Sequence, residues 1–500
     1  MQPDVTYALA WGLSALALFF IIKYNWSRRW LYYYGSKIDG PFGWPIIGSA
    51  HYFIGGQKVF YKRMIQVFGT RPSIFKFWLG KDLLVVTSKP EDVEIVLNNS
   101  SCFGKPKFYD FAFKLFRNGL LIAPASIWRD RRRIINPTFN PKILNSFIEI
   151  FQKHANKLVC VLEASCGKES EDIFLKLFRC TFDIACETLA DVDSDLIKGQ
   201  DEYLQTVIRM EDILAIRSLS YWLHPDFLWK RSTYGKEMEK ASSEVFTFVK
   251  QILDLKKSSE EFGIDDENSC KKKRFLNHLL TTSETNSQID QLAIEEEIQT
   301  ILVTGSETTA ITIGMVLIVL GIYPDIQENV TAELELVLGP DDREITLEDI
   351  NKMEYLERVI KETLRVLPIV PIITRTVEQD VKLGSKTIPA GSFVLVPIAS
   401  IGKKAELWKD PKKFNPDRFL PENNANRHRC SFIPFSYGPR NCIGFKYGMM
   451  SLKVLLATII RKFDFKPSQY KRIEDVRLVY GMVAKPKHGV KVKLEKKSVN

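Results

Sequence analysis

The sequence predicts a mainly α-helical domain with a small β-rich subdomain, preceded by a single N-terminal transmembrane helix. Three observations lead there. Segments with apolar residues at 3.6-residue spacing dominate from Asn145 to Leu367. Short β-branched, turn-rich stretches flank them at Ser73 to Ser88, Val370 to Val396 and Asp475 to Leu494. Val5 to Ile22 is an uncharged apolar run of 18 residues. As a helix it would be about 27 Å long, close to the roughly 30 Å hydrocarbon core of a bilayer.

In chain order, residues 1–23 read as the anchor, residues 24–45 as a basic, Pro/Gly-rich hinge, and residues 46–500 as one domain. Asp4 precedes the apolar run and Lys23, Arg28 and Arg29 follow it, the reverse of a cleaved signal peptide. That asymmetry predicts an uncleaved anchor with the bulk of the chain in the cytosol. An Arg-rich amphipathic transit peptide is absent, which argues against a mitochondrial destination. The hinge ends in Gly40-Pro-Phe-Gly-Trp-Pro45. The other apolar run, Ile311 to Tyr323, is too short to span and reads as part of a buried helix. No linker or repeat divides the remainder, and 45% hydrophobic with 26% charged residues is a globular composition. Eight cysteines without Cys-x-x-Cys spacing argue against zinc and against a disulfide framework. Cys102, Cys160, Cys166, Cys180, Cys186, Cys270 and Cys430 read as reduced thiols. The net charge of +10 is compatible with anionic lipid or an acidic partner, whereas no nucleic-acid motif is present. The Lys/Arg run ending at Arg274 lies in a polar stretch, Ser258 to Arg274, that reads as a surface loop.

The chemistry is concentrated in Phe435 to Gly444, F-S-Y-G-P-R-N-C-I-G. A lone cysteine in a glycine-containing turn is usually a small buried hydrophobe. Here seven positions of a ten-residue frame agree on another reading, with Cys442 as the thiolate ligand of a haem iron. Gly438 and Gly444 lack the Cβ atoms that would keep the backbone from lying flat and aiming amide N–H groups at the sulfur. Pro439 fixes one φ angle, Phe435 supplies an aromatic lid, and Arg440 is placed to reach a haem propionate.

This frame, continued by Ile443-Gly444-Phe445-Lys446-Tyr447, resembles the haem loop of the cytochrome P450 superfamily in its microsomal form. Further motifs agree. Glu362-Thr-Leu-Arg365 puts a charged pair on one helix face, a spacing that alone means only a solvated ion pair. With Phe414-Asn-Pro-Asp-Arg418-Phe downstream, the resemblance implies a buried network of Glu362, Arg365 and Arg418 that serves folding and haem retention. Trp128-x-x-x-Arg132 and Arg375 match the family's propionate contacts. Arg131 stands where many relatives carry histidine and receives no role; with Arg133 it reads as a solvated basic face. The distal side would come from Thr304-Gly305-Ser306-Glu307-Thr308-Thr309, in a helix from near Ile289 to about Gly321. Hydroxyls that compete for i−4 carbonyls bend helices, so an opened turn is expected beside Gly305. There Thr308 would donate a hydrogen bond and Glu307 would relay protons from solvent.

The resemblance implies a triangular, mainly helical fold holding haem b, iron protoporphyrin IX, between a distal and a proximal helix. It implies a haem-thiolate monooxygenase in the endoplasmic reticulum membrane. Electrons would come from NADPH–cytochrome P450 reductase, with cytochrome b5 as a further donor, docking on a basic face that draws on Arg129, Arg131, Arg133 and Lys446. The implied pocket, including Phe108, Phe111, Leu302, Val370, Ile373 and Met482, is apolar and calls for a lipophilic substrate: a fatty acid, terpenoid, steroid or xenobiotic. Glu297, Thr300 and Gly305 are similar to the fatty-acid ω-hydroxylase branch, the fourth numbered family, and its insect relatives. That branch often carries a haem-linking glutamate where this chain has Thr304, so covalent attachment by that route is not expected. Two other readings are a haem-thiolate isomerase or lyase, against which the intact Glu307 and Thr308 argue, and a non-catalytic haem-binding protein.

Overall fold

The helix Gln291–Ile322 runs through the middle of the molecule and the other elements are arranged around it. Its residues are buried on nearly every face, its glutamates included, as in a core helix rather than an amphipathic surface helix. Asp290 caps its start by accepting a hydrogen bond from the Ala293 amide at 2.8 Å, and Pro324 stops it one residue after Tyr323. Helices Phe174–Ala185, Glu354–Val366, Phe445–Lys462 and Thr233–Glu261 pack against it. A Cβ at Gly314 would lie 2.5 Å from Val490 Cγ1, so glycine there permits close approach of the C-terminal segment.

The computed structural model describes residues 2–44, 47–261, 274–286, 288–340 and 343–497. Pro45 of the hinge reading and Cys270 lie outside the described residues. The β-rich part is a four-stranded sheet in the order Ile74–Leu79, Asp82–Thr87, Phe393–Val396, Ile373–Thr376, with the middle pair parallel. Near the C-terminus, Leu478–Val479 and Lys485–Pro486 form a short antiparallel hairpin. Lys491–Lys496 joins Phe463–Lys466 and Glu171–Asp172 in a three-stranded sheet. The molecule is mostly helical with small sheets, as the periodicity predicts.

The N-terminal helix runs from Gln2 to Ser27, past the expected anchor boundary, and its apolar part Leu9–Ser27 is unburied. A second helix, Arg29–Ser36, occupies much of the expected hinge. Its aromatic residues Trp30, Tyr33 and Tyr34 stack on one another at centroid distances of 5.2–6.1 Å, which favours helix over an irregular linker.

Of the expected surface loop Ser258 to Arg274, residues 258–261 belong to the helix Thr233–Glu261 and Arg274 pairs with Asp191, where Lys256 also binds, while residues 262–273 lie outside the described residues. One expectation needs correction here. The central helix is continuous through Gly305, without an opened turn. The hydroxyls of Thr304, Thr308, Thr309 and Thr312 donate to the carbonyls of Thr300, Thr304, Gly305 and Thr308 at 2.6–2.8 Å. Those carbonyls keep their places in the ladder, so back-bonding here is absorbed without breaking it.

Candidate functional site

Cys442 lies just before the helix Phe445–Lys462, on a loop whose shape is set by its own backbone. The Cys442 amide donates to the Phe435 carbonyl at 2.9 Å, Ser436 N–H to Ile433 O at 2.9 Å, and Asn441 N–H to Gly438 O at 3.0 Å. Gly438 has φ +75°, and a Cβ on it would lie 2.3 Å from the Leu97 carbonyl. No side chain fits there. Ser436 also adopts a left-handed conformation, φ +62°, which the surrounding hydrogen bonds must hold in place. Cys442 is exposed as a residue, although enough protein packs around its thiol to desolvate it in part. Burial pushes its thiol up, while the Gly444 amide and the Arg132 guanidinium act in the opposite direction. Phe435 packs edge-on against Phe445 with ring centroids 4.8 Å apart, beside this loop.

Arg132 donates to the Asn441 carbonyl at 2.8 Å and to its side-chain oxygen at 2.9 Å, which ties the helix Ala125–Ile135 to the residue before the cysteine. Three further cations gather nearby. Arg440, held by the carbonyls of Phe103 and Ala123, lies over the Trp128 ring at 4.8 Å. Arg375 is almost fully buried and donates only to the adjoining Thr374 carbonyl, at 3.1 Å. Lys105, which the motifs do not single out, completes the group. Burial lowers all three: Arg440 falls to about 9, with Arg375 and Arg132 adding to burial, and Lys105 is pushed well down by burial, Arg375 and Arg440. Among the described residues no carboxylate is recorded acting on Lys105, Arg375 or Arg440. Buried cations are normally paired. Two buried arginines and the half-buried Lys105, without an acid among the described residues and beside an exposed cysteine, suit a dianionic guest such as the two propionates of haem.

Behind the loop, Glu362, Arg365 and Arg418 come together, all buried. Arg365 grips Glu362 in fork geometry, Nε and Nη2 each 2.7 Å from a carboxylate oxygen, and Arg418 Nε reaches it at 3.3 Å. The remaining donors serve carbonyls of the segment before the cysteine loop: Gly402 at 2.6 Å, Pro411 at 2.9 Å and Asp410 at 2.7 Å. The Asn415 amide donates to Glu362 at 2.8 Å.

On the central helix, Thr304, Gly305 and Thr308 are only partly buried, while the residues around them are buried. Spaced i, i+1 and i+4, they share one face, so that face borders open space. Thr308 donates to the Thr304 carbonyl. Glu307 is buried rather than solvent-facing, in an ion pair with Lys485, whose ammonium also meets Glu211 at 3.0 Å. Neither Glu211 nor Lys485 belongs to a motif; they arrive from distant segments, and no local spacing signals the encounter.

Arg131 is the other correction. It is buried, not solvated, bonded to Glu296 at 2.6 Å, Glu297 at 3.0 Å and the Asn118 carbonyl at 2.7 Å. It therefore cannot contribute to a docking face, whereas Arg129, Arg133 and Lys446 are exposed. Burial raises Glu297 to about 7 against the pull of Arg131, and Glu297 accepts from the Leu120 amide at 3.2 Å, fastening the loop 117–120 to the central helix. Of the pocket residues, Phe111, Leu302, Val370 and Met482 join one apolar cluster. Ile373 belongs to a separate cluster with Val396 and Ile398, and Phe108 is exposed, 6.4 Å from the Phe393 ring.

A family model described as cytochrome P450 matches residues 38–494. Cytochrome P450 4c3 of Drosophila melanogaster is 33% identical over 499 residues, covering 95% of this chain and 92% of that protein. Cytochrome P450 4V2 of Mus musculus is 32% identical, covering 97% of this chain and 94% of that protein. Cytochrome P450 4g15 of Drosophila melanogaster is 31% identical, with 97% and 96% covered.

Removing one partner of a buried ion pair strands the other, at a cost of about 3–5 kcal/mol. Glu362→Gln is therefore expected to lower unfolding free energy by about that amount and to reduce the haem retained per polypeptide. Denaturation curves and haem-to-protein ratios check this.

Proposed function

Because the chain belongs to the cytochrome P450 family, with family-4 members among its relatives, and is thus a haem monooxygenase, we propose that it oxygenates a lipophilic substrate at a C–H or C=C bond. We propose haem b as the cofactor and NADPH as the electron source, through a reductase. The observation that carries this reading is the exposed cysteine set beside two buried arginines, Arg375 and Arg440, and the half-buried Lys105, none of them in an ion pair among the described residues.

When bound, haem supplies the redox chemistry of oxygen activation. Cys442 would hold its iron, with the Gly444 amide and Arg132 favouring the anionic sulfur. Lys105, Arg375 and Arg440 would bind the propionates, with Trp128 packed on Arg440. Leu302, Val370 and Met482 exclude water from the substrate side. Thr308, whose hydroxyl now serves the Thr304 carbonyl, would turn it toward the open face to deliver a hydrogen bond, with Glu307 one residue away as the acid. The exposed Arg129, Arg133 and Lys446 are the cations available to an acidic electron donor such as a reductase or cytochrome b5.

Residues 1–23 act as a single-pass endoplasmic reticulum anchor, residues 24–45 connect it, and residues 46–500 form the cytosolic catalytic unit. The unburied apolar helix supports this placement, as does the exposed aromatic surface that follows it, including Trp26, Trp30, Phe42 and Trp44.

The reduced protein under carbon monoxide is expected to give the red-shifted Soret band of thiolate ligation, lost in Cys442→Ala. Incubation with reductase, NADPH and lipophilic candidates should give oxygenated products by mass spectrometry. NADPH consumption without product would favour a non-catalytic haem protein. Thr308→Ala is expected to keep that spectrum and divert most electrons to hydrogen peroxide, measured as peroxide formed per NADPH. Deleting residues 1–27 is expected to release the protein from membranes at high salt, with residual low-salt binding through the exposed aromatics, checked by sedimentation.

A further inference from the structure

Glu307 cannot take a proton straight from solvent, because it is 1% exposed and faces Lys485. Three elements converge on this point. Glu211 comes from the helix Gln200–Leu219, Glu307 from the central helix, and Lys485 from the hairpin strand Lys485–Pro486. Lys485 meets both carboxylates with one ammonium and is itself 27% exposed, while the acids are 3% and 1% exposed. From the helix Phe174–Ala185 the nearest contribution is uncharged: the Thr181 hydroxyl donates to the Ser306 carbonyl at 3.0 Å, and the Phe174 ring lies 5.2 Å from the lysine Nζ.

Charge counting constrains the cluster. Two ionised acids and one lysine would leave a net negative charge in a buried site, whereas one proton shared by the acids makes it neutral. Burial first, then the neighbouring Glu307, hold the Glu211 carboxyl well above the ordinary range, which favours a proton on it. Glu211 and Glu307 together hold Lys485 above the usual lysine range against the effect of burial. The contacts are also unfinished. Among the described residues neither Glu307 oxygen has an aligned hydrogen bond, and Glu211 Oε1 lacks one too. A clamp built only for stability would satisfy these atoms, as Arg365 does for Glu362. Here charge holds the carboxylate in place while direction leaves it free to rotate.

We propose that Lys485 is a positioning residue that holds Glu307, and that Glu211 is the group from which Glu307 is reprotonated. Protons bound for the distal side thus pass through the Glu211–Lys485–Glu307 cluster. In each passage Glu307 takes the proton from the Glu211 carboxyl and passes it toward Thr308, and Glu211 is refilled from water at the partly exposed end of Lys485. This rests on the acid role of Glu307 given above and adds two residues and an entrance to it.

The test uses the full chain with reductase, comparing Glu211→Gln, Lys485→Met, Lys485→Arg and Thr308→Ala. Infrared spectroscopy of the resting protein is expected to show a protonated buried carboxyl at neutral pH that Glu211→Gln removes. Glu211→Gln and Lys485→Met should each lower product formed per NADPH by about tenfold, shift its pH profile, and leave KM within about twofold. Lys485→Arg should restore coupling, which a purely structural lysine would not require. If Lys485→Met does not fold, the near-isosteric Glu211→Gln still decides. Unchanged coupling and pH profile in Glu211→Gln, with Thr308→Ala still uncoupled, would overturn the cluster while leaving the distal threonine in its role. If Thr308→Ala stays coupled as well, the underlying assignment falls with it.

Discussion

A charge removed from water must find an opposite charge inside the protein or in what the protein binds, and this constraint organises the molecule around Cys442. The Glu362 carboxylate is the clearest case of internal matching. Two arginines and a backbone amide converge on it, and the spare arginine donors hold carbonyls from Gly402 to Lys413. The network fixes the segment leading into the cysteine loop because satisfying the charge requires those carbonyls. Arg131 with Glu296 and Glu297, and Asp191 with Lys256 and Arg274, repeat the principle elsewhere in the fold.

Against that background the group of Lys105, Arg375 and Arg440 is an exception. The fold pairs buried charge in several other places, yet among the described residues the buried Arg375 and Arg440 and the half-buried Lys105 stand together without an ion-pair acid. Mutual repulsion and desolvation both oppose such a grouping, so its cost is recovered only when an anion arrives. The imbalance lies beside a cysteine whose loop cannot accommodate a Cβ at Gly438, an arrangement that suits the haem implied by the family.

What could be read from the sequence was what is local. The cysteine loop, the Glu362–Arg365 pair and the Trp128–Arg132 spacing are contiguous patterns whose geometry follows from helix pitch or turn chemistry. The mostly helical fold with small sheets was legible from periodicity for the same reason. Burial of a charge was not. Arg129, Arg131 and Arg133 look alike in sequence, yet only Arg131 faces the carboxylates of Glu296 and Glu297. That difference arises from the packing of one helix on another. Lys105, Glu211 and Lys485 were missed because their partners lie on segments far away in the chain. The expected opening at Gly305 failed for a different reason: hydroxyl back-bonding was read as disruptive, whereas repeated along one helix it merely adds a second donor to carbonyls already in the ladder.

That last point changes how the central helix has to work. If the helix is intact, access to its polar groups comes from side-chain rotation, not from a break in the backbone. The Thr308 hydroxyl is occupied by the Thr304 carbonyl, and Glu307 is occupied by Lys485. Both are engaged, but unequally: the threonine bond is a neutral one of modest net strength, replaceable by any acceptor on the open face. The glutamate is held by charge in a dry setting, a stronger restraint with less directional definition. The threonine can therefore respond to whatever occupies the cleft, while the glutamate moves only when the balance of charge around Lys485 changes. A helix that keeps its ladder and varies only its side chains can hold the two groups in fixed register through many turnovers.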